Sequence, residues 1–146
     1  MTQTAQKITA QDVERVMCSS FGSEIFYKRD YGKYMDYTQG VMNVQNELNM
    51  YWFVDVMYSH MPAVILDYKT SEDDEWFYVV ELTVEDNHTA KFRIFKEDYS
   101  SGDYAEKDIA VQDIEYVDLP KCTMKFFLAL ANYEPLVFRL LCPSEH

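Results

Sequence analysis

The chain has 146 residues, 48% of them apolar, with 12 Tyr, 9 Phe and 2 Trp, which suits one ordinary domain with a sizeable core. Four Gly and four Pro exclude a linker-rich or disordered architecture. The net charge of −12 disfavours nucleic acid and anionic membrane as partners and suits either a basic surface or plain solubility. That charge is uneven: residues 67–118 hold 16 of the 25 acids but only 5 of the 13 bases.

Thr9 and Asp12 have the spacing of a capping box, with Asp12 in place of the usual Glu. Val13, Val16 and Met17 then form one apolar stripe, and Phe21-Gly22 marks the expected end of this first helix. Residues 24–37 read as two short extended pieces around Asp30-Tyr31-Gly32. Thr38 is the expected cap of a second helix bearing Val41, Val44 and Leu48 on one side. Asn49 interrupts it. Residues 50–61 are apolar nearly all round and predict a buried helix that Pro62 ends.

The period then changes from helical to alternating. Trp76, Tyr78, Val80, Leu82 and Val84 predict a strand, Glu85 to His88 a turn, and Ala90, Phe92 and Ile94 a partner strand. A third strand is expected over residues 109–117, a fourth over 122–130 and a fifth over 136–142. Short connections imply antiparallel pairing. The expected fold is therefore α+β: N-terminal helices on one face of a roughly five-stranded antiparallel meander, in a single domain spanning residues 1–146. Ser71-Glu72-Asp73-Asp74-Glu75 reads as a solvated loop before the first long strand.

Catalytic and metal-binding motifs are absent from the sequence. Cys18, Cys122 and Cys142 form no C-x-x-C pair, the start of the chain is polar, and no apolar run is long enough to span a membrane. Reduced thiols and a cytoplasmic location are the expectation. His60, His88 and His146 lack metal-ligand spacing, and no Gly-rich phosphate loop or nucleophile elbow occurs, so neither metal nor cofactor is expected. Lys28, Arg29 and Lys33, interleaved with Tyr27, Tyr31 and Tyr34, form the only basic cluster and suit a surface hairpin or a small protein contact.

Asp55 is the one charge within residues 50–61. A carboxylate on an all-apolar helix needs partners or a raised pKa, as catalytic acids do. Two readings of it stay open. One is a structural carboxylate bonded to a Tyr hydroxyl, a backbone amide or Arg139. The other is a buried site of Trp52, Asp55 and His60, although Asp55 and His60 stand about 140° apart around a helix.

Several spaced segments form a recognisable set. They are Gly22-Ser23-Glu24-Ile25-Phe26-Tyr27, Tyr37-Thr38-Gln39-Gly40-Val41 and Tyr51-Trp52-Phe53-Val54-Asp55, followed by Asp118-Leu119-Pro120 and Pro143-Ser144-Glu145-His146. With them the chain resembles a family of small bacterial and phage proteins known only as a domain of unknown function. The resemblance implies a phage or mobile-element setting and no activity.

The expected function is a non-enzymatic binding protein, an inhibitor of a host defence or nucleic-acid-handling protein. Its acidic face would include Glu72, Asp73, Asp74, Asp103 and Asp108 and meet a basic surface on that host protein. A small-ligand binder or enzyme centred on Asp55 and a homodimeric accessory protein are the alternatives.

Overall fold

A computed structural model describes residues 7–18, 25–29, 32–71, 77–98 and 102–146. Helix α1 (Ala10–Met17) opens as expected. Thr9 Oγ1 accepts from the Asp12 amide at 3.2 Å, and Asp12 Oδ2 accepts from the Thr9 amide at 2.9 Å. The helix ends at Met17, and Phe21-Gly22 lies outside the described residues. The two extended pieces are β1 (Phe26–Tyr27) and β2 (Met35–Thr38). Thr38 then caps α2 (Gln39–Leu48), and Asn49 closes that helix in the left-handed conformation at φ 55°.

Helix α3 (Tyr51–Thr70) corrects two expectations. It continues past Pro62, which sits on the solvent side. A proline inside a helix costs about 3 kcal/mol. Beyond it, Val64 and Ile65 extend the buried stripe of Phe53, Val54, Met57, Tyr58 and Met61. Each contributes about 1.5–3 kcal/mol on burial, enough to offset the proline. Nor is the helix buried all round. Tyr51, Asp55, Ser59, Pro62 and Leu66 recur every three or four residues as an exposed face. Within residues 50–61, Tyr51 disguised that face as apolar.

The strands β3 (Phe77–Val84), β4 (Ala90–Asp98), β5 (Ala105–Ile114), β6 (Cys122–Tyr133) and β7 (Leu136–Leu141) complete the fold. The third expected strand therefore begins and ends earlier than the alternation suggested. A seven-stranded mixed sheet replaces the five-stranded meander, in the order β1-β2-β7-β6-β3-β4-β5. Two physical causes account for the difference.

First, β6 returns to lie beside β3 instead of β5, giving a Greek key. Met124, Phe126 and Leu128 pair in register with Leu82, Val80 and Tyr78. Beside β5 the same residues would meet a strand with no buried position. The crossover is pinned to the β3–β4 turn. The Val117 amide donates to the His88 carbonyl at 2.8 Å, and His88 Nδ1 donates to the Leu119 carbonyl at 2.9 Å. Val117 and Leu119 are buried there.

Second, β2 joins the sheet parallel to β7, placing Asp36 opposite Arg139. Their side chains form a two-pronged ion pair, with both bonds at 2.9 Å. Arg139 also lies 3.5 Å from the centre of the Phe26 ring.

Helices α2 and α3 cover one face of the sheet. Phe53 meets Phe92 and Phe126, and Tyr68 meets Phe138. The core lies between these layers. No helix among the described residues is long and apolar enough to cross a membrane.

Candidate functional site

Asp55 is not a buried carboxylate. Its side chain is 55% exposed and meets Arg29 Nε at 3.3 Å. Arg29 is the reason for that contact, because it points inward from the supposed surface hairpin. It donates to Tyr37 Oη at 3.3 Å, to Gln45 Oε1 at 2.9 Å and to the Tyr51 carbonyl at 3.1 Å. Tyr58 lies under the same segment: its hydroxyl accepts from the Arg29 amide and donates to the Met35 carbonyl. Gly32 passes so close to the Tyr58 ring that a Cβ there would overlap it. This cluster fastens the chain before β2 onto α2 and α3. Lys28 and Lys33 remain exposed.

Trp52 and His60 do not join Asp55. Trp52 packs edge-on to Phe53 at 6.1 Å. His60 stacks on Phe92 and meets Gln112 Oε1 at 2.7 Å, in mid-helix and not at a helix end. Cavities of about 380, 280 and 350 Å³ occur among the described residues, and none of these is lined by Trp52, Asp55 or His60.

The buried carboxylate on α3 is Asp67, with a side chain 9% exposed. It receives Lys96 Nζ at 2.8 Å, Lys107 Nζ at 3.2 Å and the Tyr78 hydroxyl at 2.8 Å. Burial alone would raise its pKa. The hydrogen bonds from Lys96, Tyr78 and Lys107 outweigh burial and hold the carboxyl below its ordinary range. Burial, then the bond to Asp67, pushes the Tyr78 hydroxyl far above the usual phenol range. A signal for this network was present: Lys96 continues the inward parity of Ala90, Phe92 and Ile94, and an inward lysine needs an anion.

The C-terminal segment forms a second interlock. Glu145, in a 3-10 turn (Pro143–Glu145), reaches the start of α2. Its carboxylate accepts from Thr38 Oγ1 at 2.6 Å, the Gly40 amide at 3.2 Å and the Cys142 amide at 3.0 Å. A carboxylate suits the positive end of a helix. A Cβ on Gly40 would overlap that carboxylate, so a side chain there must push it off its hydrogen bonds. Ser144 Oγ donates to the Met17 carbonyl at 3.2 Å and ties the same turn to the end of α1. His146 packs edge-on to Phe77 and Phe127. Burial first, then Glu145, raises the pKa of the Cys142 thiol well above the ordinary thiol range.

The opposite end of the sheet is acidic. Asp103 is exposed in the turn before β5, beside Gly102 at φ 85°. Asp108 is engaged: its Oδ1 accepts from Arg93 Nη2 at 2.6 Å. Glu106 and Glu81 meet the same guanidinium at 3.1 and 3.7 Å. One cation among three carboxylates leaves the group net negative. The Tyr104 hydroxyl first, then Arg93, lowers the Glu106 pKa. Lys96 is buried against Asp67, which removes that cation from the outer surface, while Lys107 pairs with Asp67 and stays exposed. Residues 97–115 contain Glu97, Asp98, Asp103, Glu106, Asp108, Asp113 and Glu115 against Lys107 alone. Glu72, Asp73 and Asp74 lie outside the described residues.

No group of three or more His, Cys, Asp or Glu among the described residues is arranged to hold a metal ion. No curated protein and no solved structure matches the chain. A protein-family model, described as a family of unknown function (DUF6876), matches residues 11–146. The segments that interlock around Arg29, Gly40 and Glu145 all lie within that match, and the chain belongs to this family of unknown function.

Proposed function

We propose that the protein is a non-enzymatic binding protein whose acidic end, β5 and its flanks, docks a basic surface on another protein. The observation that carries this reading is the uneven disposition of charge. Carboxylates cover the last strand of the sheet, while Arg93, Lys96 and Lys107 are engaged by Asp108, Glu106 and Asp67. Such a field speeds association with a cationic partner and rejects polyanions. A nucleic-acid-handling protein of a host, which carries a basic surface, is the kind of target that suits it. The phage or mobile-element setting implied by the sequence resemblance fits such an inhibitor.

Affinity capture at low and at moderate salt tests this reading, with wild type beside Asp103→Lys/Asp113→Lys/Glu115→Lys. These three sites leave the partners of Arg93 in place. Retention of a specific protein that weakens with salt and vanishes in the triple variant is the expected result. Equal retention by both chains would sink the acidic-end reading.

A further inference from the structure

The sheet has two unequal edges. One is β1, only two residues long. The other is β5, ten residues long, and none of its residues is buried. Among the described residues only β4 pairs with it. A strand with one open edge carries a row of backbone N–H and C=O groups aimed outward, which is a template for a further strand.

The ladder between β4 and β5 shifts register at Ile94/Phe95, dividing β5 into two regular stretches, 105–108 and 110–114. The second pairs without interruption from Ala110 to Ile114. Strand parity sets its faces. Gln112 points inward to His60, while Val111 and Asp113 are exposed on the other face, in line with Arg93 and Lys91.

Charge decides which strand fits. Two copies of β5 set edge to edge would bring Glu106, Asp108 and Asp113 of each chain into one seam, and facing like charges are destabilising. The bulge and the charges therefore guard the edge against self-pairing. They do not guard it against a cationic strand. Val111, 45% exposed, supplies an apolar contact midway between the carboxylates.

We infer that β5 is a strand-addition site that takes an extended basic segment of a partner protein, with Lys or Arg alternating with apolar residues. The inference rests on the acidic-end reading and adds the mode of docking: main-chain hydrogen bonds supply affinity, and the carboxylates select a cationic sequence.

The probe is a nine-residue peptide of alternating Lys and Val, acetylated and amidated, titrated into the intact protein at low salt. It is compared with two forms N-methylated at every second residue, one for each edge of the peptide strand. Amide hydrogen exchange over residues 105–114 is followed in parallel. Saturable binding is expected, with at least tenfold slower exchange in β5 and at least tenfold weaker binding for one N-methylated form only. If both N-methylated forms bind like the parent, charge alone makes the contact. Strand addition is then lost, and the acidic-end reading stands. Absence of saturable binding, or exchange in β5 unchanged at saturation, would also overturn the inference. Salt-sensitive capture that is lost in the triple variant would in that case still support the acidic-end reading.

Discussion

The two ends of the sheet use charge in opposite ways. At the β1–β2–β7 end, polar groups are matched: Asp36 with Arg139, Asp55 with Arg29, and Glu145 with Thr38 Oγ1 and two amides. At the β5 end, three carboxylates share Arg93 and more acids flank them. Matched charges hold elements in place. Surplus charge does nothing for the fold and weakly opposes it by self-repulsion. The difference teaches that the β1–β2–β7 end is built to hold the fold together, and that under the proposed function the acidic end is where a partner would dock.

Mutations that break this contrast fall in a clear order of size. Gly40→Ala and Lys96→Met share the largest expected effect, about 2–3 kcal/mol of stability each; in Gly40→Ala the added methyl pushes the Glu145 carboxylate off Thr38 Oγ1 and the Gly40 and Cys142 amides. Urea unfolding measures it. Gly40→Ala/Glu145→Ala should lose less than the sum of the two single variants, since the clash disappears with the carboxylate.

Lys96→Met costs as much, about 2–3 kcal/mol. It leaves Asp67 buried with only Lys107 and Tyr78, and breaking a buried pair costs more than an exposed one. The same network sets an acid limb. The folded-state pKa of Asp67 is depressed, so its contribution is complete above the unfolded value of about 3.9 and is lost as pH falls through the folded one. Urea midpoints should decline below about pH 4, and Asp67→Asn should flatten that part of the decline.

Asp55→Asn should cost under about 1 kcal/mol, because its pair with Arg29 is half exposed. A loss of 3 kcal/mol or more, of the order seen on breaking a buried pair, would mean that the two carboxylates of α3 had been ranked in the wrong order.

That ranking shows what was legible in the sequence. Capping residues announce themselves locally, so Thr9, Asp12 and Thr38 were readable, as was the alternation of β3, β4, β6 and β7. Strand order was not, since it depends on non-local registry such as Phe126 against Val80. Asp55 stood out because Tyr51, on the exposed face of α3, made residues 50–61 look buried all round. Asp67 did not stand out, because its cations are 29 and 40 residues away in sequence. Glu145 and Gly40 were both visible as motif residues, but only their contact across a separation of 105 residues explains either.

The smallest effect on the fold should accompany the largest effect on function. Asp103→Lys/Asp113→Lys/Glu115→Lys should move stability by no more than about 0.5 kcal/mol per site, as exposed substitutions do. Measuring its urea midpoint and its partner capture side by side, against wild type, tests the division of the molecule most directly. A near-native midpoint with lost capture is the predicted result. Intact capture, or a midpoint as low as that of Lys96→Met, would contradict it.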